Sequence, residues 1–404
     1  MSNQFQGIQS GLAELKNYYQ GPIKDQFNED VPILRGSEKV KQGWTGYQIV
    51  RPLRVRRNQG IGATSDGGIL PSIGRQGTVQ ATITSAFNYL RFGVTGPMIK
   101  ASANDVGAFV RSAAYELEMG YKDLTSDVNR QVSWDGTGDL AAVNANTTAS
   151  TTLVIKGRES TEPALKFVDV GLVFDVYSGS TQVAASITVT AVSGTPSAAT
   201  ATLTLSAPVT VTAGDILVRA NSFGYEMAGL LSSINSDTST LNGVDRSVYP
   251  SYQSNAIAVA GNALSLDYLQ QGYNAAVLRG GAKLSALYSD FASLRMYQKL
   301  LTADKRYVNT IKGDGGFASK DQYYMDFNSI AWVPDKDCPT RVFFLQPDVL
   351  KLYILAEMEF ADETGSMYIA QTSADQFEVR VRHFSQLFNE MPSACAQLNG
   401  YISP

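Results

Sequence analysis

SANDVGAFVRSAAYELEMGYKDLTSDVNRQVSWDG, residues 102–136, decides the fold. Apolar or aromatic residues stand at Val106, Phe109, Val110, Ala113, Leu117, Tyr121, Leu124, Val128 and Val132. Steps of three and four keep one face of a helix apolar. Asn104 or Asp105 can cap its start and Gly136 can end it. At a rise of ~1.5 Å per residue, such a helix is about 45 Å long. That is far above the mean for globular proteins.

Upstream of this helix the chain reads as an arm followed by a ribbon. Residues 5–19 carry a short amphipathic stripe of Ile8, Leu12, Leu15 and Tyr19, stopped by Gly21 and Pro22. The stretch from Pro22 to Gln42 is polar and broken by Pro32 and Gly36. From Trp44 an outbound strand is expected, with Leu53 and Val55 alternating with Arg54 and Arg56. Pro52 has no N–H for a ladder, which keeps this strand off the centre of a sheet. A return strand is expected over TVQATITSAFNYLRF, residues 78–92. Between them lies a tip rich in glycine. A two-stranded ribbon is marginal alone in water, so this one must lie on something.

Downstream the composition changes twice. From Thr148 to Arg219 it shifts to Thr, Val, Ala, Ser and Gly. Short alternating runs with frequent turns predict a small β-barrel or sandwich. After it, SLDYLQQGYNAAVLRGG and SALYSDFASLRMYQKLLTA read as helix-bearing. RVFFLQ reads as a strand, PDVLKLYILA as a helix, FEVRVRHF as a strand and SACAQLNGYI as a last strand. The whole is therefore α+β, without a fixed-period repeat.

Charge and chemistry exclude more than they suggest. The 404 residues hold 33 basic and 37 acidic side chains, a net of −4. A protein that binds nucleic acid over its whole surface needs a cationic excess, so that class is set aside. The balance is uneven: residues 1–100 carry +6, leaving −10 to the rest. A basic end and an acidic body favour association between copies. Two cysteines, Cys338 and Cys395, imply no disulfide framework and fit a reducing compartment. The start lacks the basic and apolar regions of a signal peptide, and no run of 18 apolar residues predicts a membrane span. The one histidine, His383, lies on the apolar face of an alternating strand and reads as a core residue. No G-x-S-x-G elbow, Walker loop or cluster of zinc ligands is present, so neither an enzyme nor a cofactor is expected. KGDGGFASKD, residues 312–321, has too few alternating carboxylates for a calcium loop.

The arginines of the ribbon, Arg51, Arg54, Arg56 and Arg57, with Arg75 after the tip, admit three readings. They form a nucleic-acid patch, a solvated strand face, or forks for carboxylates of a neighbouring copy. The strand lacks the aromatics that stack bases, which disfavours the first. Sequence leaves the other two open.

Several segments together resemble the major capsid protein of tailed bacteriophages, with its HK97-like fold. LKNYYQGPIKDQFNED (15–30) is similar to that family's N-terminal arm, and SDGGILPSIGRQG (65–77) to the tip of its extended E-loop. DVNRQVSWDGTGDLAAV (127–143) resembles the end of its spine helix and the turn beyond, and GLLSSINSDTSTLNGVDRSVYPSYQS (229–254) a later stretch. The order of elements carries the resemblance, since no single motif does. It implies an arm over 1–42, an E-loop ribbon over 43–95, and the spine helix with the start of a P-domain over 96–147. It further implies an inserted β-barrel over 148–219, an A-domain with P-domain returns over 220–340, and a shared C-terminal part over 341–404. It implies hexamers and pentamers tiling an icosahedral shell around double-stranded DNA, touched only weakly by an acidic wall. Location in the virion, assembly in the bacterial cytoplasm, and scaffold, portal and cement proteins as partners follow from the same resemblance. About 40 residues precede the ribbon, so a scaffold is expected as a separate protein. In this reading the E-loop arginines grip a neighbour, with Glu116, Glu118, Asp123 and Asp127 of the spine helix as candidate acidic partners. Lys41 and Lys100 flank the ribbon but residues 58–77 hold no lysine, so no covalent cross-link is assigned. The competing readings are an encapsulin-like compartment and a β-rich tail or adhesin protein. The long helix does not suit the adhesin.

Overall fold

The structure is a computed structural model. It describes residues 31–41, 43–44, 46–97, 106–159, 162–303, 311–312, 323–361, 369–370 and 374–402. The expected helix over 5–19, the caps at Asn104 and Asp105, Lys100, and nearly all of the 312–321 loop lie outside these residues.

The described chain begins with a short helix α1 (Pro32–Gly36) and strand β1 (Glu38–Val40). The ribbon follows as β2 (Gln48–Arg56) and β3 (Gly77–Thr84), antiparallel and paired only with each other. The expected return strand breaks at Ser85. Its second half, β4 (Ala86–Thr95), leaves the ribbon for a different sheet. The break is a handover: Ser85 and Ala86 are buried, and Phe87 and Tyr89 turn onto Phe384.

The long helix α2 spans Val106–Ser133. Leu124, Val128 and Val132 from its stripe are buried against Ile33 and Leu34 of α1 and against Leu352, Ile354, Val381 and Leu387. Leu117 packs at the edge of this core, and Tyr121 is exposed.

From α2 the chain enters a closed barrel of β5 (Asp139–Val143), β6 (Thr147–Lys156), β7 (Val173–Ser178), β8 (Thr181–Ser193), β9 (Thr200–Val211) and β10 (Ile216–Arg219). Around the barrel the order is β10-β5-β6-β9-β8-β7. Leu153, Ile155, Phe174, Val176, Val189, Leu203 and Leu217 fill it. Closure removes both sheet edges, which lets a small domain present long Thr-rich strands without pairing hazards. The barrel opens with β5, ahead of the Thr-rich stretch that marks it in the sequence. DLAAV carries no such composition, so only pairing reveals it. Phe174→Ala should destabilise the barrel by about 3–5 kcal/mol, the usual loss for a fully buried ring. Urea unfolding followed by intrinsic fluorescence checks this; a loss below about 1 kcal/mol would mean that the interior collapses to fill the gap.

Beyond the barrel come α3 (Leu230–Ser233), the small hairpin β11 (Thr240–Leu241) and β12 (Val244–Asp245), and β13 (Asn255–Ala258). Helix α4 (Leu266–Gly280) is capped by Ser265, whose hydroxyl accepts from the Tyr268 N–H, and closed by Gly281 in the left-handed region at φ +62°. Then follow β14 (Ala286–Ser289), α5 (Phe291–Ala303), β15 (Ile311–Lys312), β16 (Tyr323–Phe327), β17 (Ile330–Pro334) and β18 (Val342–Leu345). The chain closes with β19 (Leu350–Phe360), β20 (Ile369–Ala370), β21 (Gln376–Asn389) and β22 (Ala396–Asn399).

Two sheets organise this body. A seven-stranded sheet, β13-β22-β18-β14-β17-β16-β15, packs α4 and α5 through Leu269, Ala276, Met296, Tyr297, Trp332, Phe344 and Leu398. The second, β1-β19-β21-β20 with β4 on β21, lies against α2. PDVLKLYILA is therefore not a helix: it is a 3-10 turn at Pro347–Val349 and then strand β19. Leu350, Leu352, Tyr353 and Ile354 are all buried, because the strand is covered on both faces, and that erases the period of two. Among the described residues, no helix is long and apolar enough to cross a membrane.

Candidate functional site

The ribbon rests on the body along β2, from Ile49 at its foot to Val55, whose carbonyl accepts from the Ser251 hydroxyl at 2.7 Å. Ile49, Ala81 and Ile83 pack with Leu241, Val244, Tyr252, Tyr353 and Phe388. Further out its residues face solvent, and at the tip Ile61, Ile69, Leu70 and Ile73 are 85%, 96%, 77% and 103% exposed. Alternation along β2 sorts the arginines. Arg51 turns inward: its Nε donates to the Tyr353 hydroxyl at 3.0 Å and its guanidinium meets Glu390 at 3.4 Å. Lys351 shares that carboxylate at 3.4 Å. Arg54 donates to the Gln76 side chain across the ribbon at 2.8 Å. Arg56, Arg57 and Arg75 are exposed and have no carboxylate partner among the described residues. Arg51, Arg54, Arg56 and Arg57 line one groove with Arg279 and Lys351, and among the described residues Glu390 is the only carboxylate in it.

The four candidate acids on α2 do not behave alike. Glu118 is exposed and pairs loosely with Lys122 at 3.6 Å. Asp123 is exposed and Glu116 half-buried on the same helix. Asp127 is committed within its own chain. Its carboxylate accepts from Arg130 at 3.1 Å, Arg219 at 3.2 Å and Gln131 at 2.9 Å. Arg130 also reaches Glu226 at 2.6 Å. Burial opposes the charge on Asp127, but Arg130 and Arg219 over-ride it and hold the carboxyl well below its usual range. Burial raises Glu226, against the pull of Arg130.

A second buried cluster ties the arm to the body. The Asn129 side-chain amide donates to both oxygens of Asp335, at 3.2 and 3.0 Å, and to Asp337 at 2.8 Å. Its carbonyl accepts from the Leu34 N–H at 3.1 Å, and Asp335 accepts from the Ile33 N–H at 3.4 Å. The Trp134 indole N–H donates to the Asp337 carbonyl at 2.9 Å. Burial, and then the neighbouring Asp337 carboxylate, push Asp335 up to about 6. Burial raises Asp337 as well. An aspartate whose folded pKa lies above its unfolded value of 3.8 holds its proton more tightly in the fold. Its contribution to stability is full below the unfolded value and is lost as pH rises through about 6. Relative to Asp335→Asn, the wild type should therefore lose up to about 3 kcal/mol between pH 4 and 7. Denaturant midpoints across that range test it; a difference that stays constant would mean that the carboxyl is ionised throughout.

The barrel is clamped where α2 ends. Arg158 binds Asp135 and, through Nε at 2.8 Å, Asp139, and lies 4.3 Å over the Trp134 ring. Lys166 pairs with Glu162 at 2.8 Å and donates to the Cys338 carbonyl at 2.7 Å. Arg341 meets Glu159 at 2.7 Å. Sequence reading missed these ties. Only the paired Asp335 and Asp337, flanked by prolines, offered a signal.

The residues that drew a chemical question are structural. His383 is buried, and that burial, then Lys39, lowers its pKa, so the ring is neutral at pH 7. Cys338 and Cys395 are free and buried, and burial pushes both thiols up. Among the described residues, no three His, Cys, Asp or Glu side chains converge as a metal site.

Comparison with solved structures gives this architecture its relatives. A chain of the cyanophage A-1(L) capsid asymmetric unit matches 96% of this chain over 97% of its own, at 13% identity and a TM-score of 0.60. The capsid of a native GTA particle matches over 97% and 99%, at 9% identity and 0.49. The holo-SrpI encapsulin complex from Synechococcus elongatus matches over 99% and 99%, at 8% identity and 0.47. No family model and no curated protein matches the chain. The chain has the fold of a phage capsid protein, as the resemblance in its sequence implied.

Proposed function

We propose that this chain is the major capsid protein of a tailed bacteriophage, with an HK97-like fold. It builds hexamers and pentamers that tile an icosahedral shell around double-stranded DNA. The observation that carries the reading is the match to a chain of the cyanophage capsid, over 96% of this chain and 97% of that one. The ribbon supports it. An extended two-stranded element with bare aliphatic residues at its tip gains stability only on a partner.

In this reading the ribbon is the E-loop, α2 the spine helix, and the barrel an insert in the capsid fold. Arg54, Arg56, Arg57 and Arg75 meet carboxylates of a neighbouring copy. Asp127 is satisfied by Arg130 and Arg219, so Glu118, exposed and held only by Lys122 at 3.6 Å, is the better acceptor on α2. The protein acts as a wall rather than as a catalyst, its location is the virion, and its assembly takes place in the host cytoplasm. Scaffold, portal and cement proteins belong to the same reading.

Negative-stain electron microscopy of the purified protein, alone and co-expressed with its genomic neighbours, tests it. Closed shells, tubes or rings of five and six are expected. A monomer under every condition would overturn the reading. Arg54→Glu with Arg56→Glu and Arg57→Glu should abolish shells while leaving the thermal midpoint nearly unchanged, since exposed charges add little to folding.

A further inference from the structure

The arginine groove beside β2, about 860 Å³, is lined by every residue from Arg51 to Arg57. Successive residues of a strand point to opposite faces, so a groove that meets all of them runs along the strand's edge. Hydrogen bonding shows which backbone groups lie on that edge. The Thr82 N–H of β3 donates to the Asn242 carbonyl at 2.8 Å, away from β2. Residues directly opposite in an antiparallel pair either face each other or face away together. Val50, which pairs with Thr82, therefore turns its N–H and C=O to the outer edge, and the unbroken register carries Pro52 and Arg54 with it. Pro52, which has no N–H, sits where the ladder does not need one. Outside the ribbon, no hydrogen bond reaches these three backbones among the described residues. The Ser251 hydroxyl on the opposite wall takes the Val55 carbonyl at 2.7 Å, so this edge opens into the groove.

We infer that this edge takes up an extended acidic segment of another protein, which adds a third strand to the ribbon. The capsid reading neither requires nor supplies that partner. Charge selects carboxylates: the groove's five arginines and Lys351 have Glu390 as their only carboxylate among the described residues. Arg279 is held in place by the carbonyls of Pro250 and Ser254 and has no ionic partner among the described residues. The backbone selects a peptide. An unpaired strand edge offers N–H and C=O groups together, which a second peptide satisfies and a row of phosphates, acceptors alone, does not. Among the described residues the lining's only ring is Tyr252, which is buried, so bases find nothing to stack on. Length fits as well. From Arg51 to Arg57 the chain spans about 20 Å at ~3.4 Å per residue, a match for a strand of about seven residues. Arg54, Arg56 and Arg57 cannot hold this segment and a neighbour's carboxylates at once, so it binds the unassembled copy.

The probe is a fluorescein-labelled peptide of about five Glu-Val repeats, titrated against the full-length unassembled protein and read by anisotropy. It should bind, and a Gln-Val analogue should bind at least tenfold more weakly. Arg279→Gln and Arg56→Gln should each weaken binding at least threefold without moving the thermal midpoint. Methylating alternate backbone nitrogens of the peptide removes the donors from one of its edges. One of the two alternating sets should cost at least tenfold in affinity and the other almost nothing. Equal losses with both sets, or none with either, would mean charge attraction without a strand and overturn the inference. An oligothymidylate that displaces the peptide at equal concentration would give the groove to nucleic acid and overturn it too. So would self-association of the free protein that Arg279→Gln abolishes while no peptide binds, which would give the groove to a second copy. Shells formed by a protein that never binds the peptide would strike this site alone and leave the capsid reading standing.

Discussion

Arg130→Leu should cost the fold about 3–5 kcal/mol, the range for breaking a buried ion pair by removing one partner. Arg130 is 3% exposed in its side chain and holds two carboxylates, Asp127 at 3.1 Å and Glu226 at 2.6 Å. Without it two half-buried carboxylates are left, and Asp127 keeps only Arg219 as a cation. Burial works against the charge on Arg130, but the two carboxylates over-ride it and raise its pKa, so no accessible pH removes its charge. The loss should be largest near neutral pH and shrink in acid, where the stranded carboxyls take up protons. Denaturant unfolding of the single variant and of Arg130→Leu with Glu226→Leu separates the causes. The double variant should recover part of the stability, because an apolar pair replaces a buried ionic one. A single-variant loss below about 1 kcal/mol would mean that water reaches the cluster and does the work of the guanidinium.

Gly229→Ala is the second large effect, and here the cause is space. Gly229 has an ordinary extended backbone, at φ −94°. A methyl group there would run into the carbonyl oxygens of Gln131, Val132 and Trp134, all at the end of α2. The Gly229 N–H donates to the Trp134 carbonyl at 2.9 Å, so the two backbones are already as close as a hydrogen bond allows. Adding even one carbon should destabilise by about 2–3 kcal/mol or more, as overpacking against rigid neighbours does. The readout is the thermal midpoint together with soluble yield. An unchanged midpoint would show that the segment from Glu226 to Ile234 can lift off the helix end at no cost.

Both effects fall at one junction, and that junction shows what the sequence could and could not disclose. The helix stripe ending in Leu124, Val128 and Val132 was readable, because burial on a single face leaves a period. So was the ribbon, whose outer part is covered on neither side, and so were the alternating strands of the barrel. Strand β19 was not. With Leu350, Leu352, Tyr353 and Ile354 all buried, its pattern matches a helix as well as a strand. The ribbon arginines could be singled out, but not that Arg51 serves its own chain through Tyr353 and Glu390. Asn129 and Arg130 are neighbours on α2 with separate tasks. One amide gathers Asp335 and Asp337, and one guanidinium gathers Asp127 and Glu226. Apart from Asp127, three residues before Arg130, their partners lie 96 to 208 residues away, and spacing along a chain carries no trace of such pairings.

The barrel starts and finishes on adjacent strands: Asp139 of β5 sits opposite Val218 of β10. Entry and exit are therefore only about one strand spacing apart, roughly 5 Å. A gene could lose or exchange everything between these two positions and still join the ends without stretching the backbone. Such a cassette would travel between lineages with little regard for the rest of the chain, provided that a graft restores what Arg158 and Arg219 hold at the helix end. The hairpin turns would be the natural place to display a foreign peptide, and those two arginines the first residues to keep.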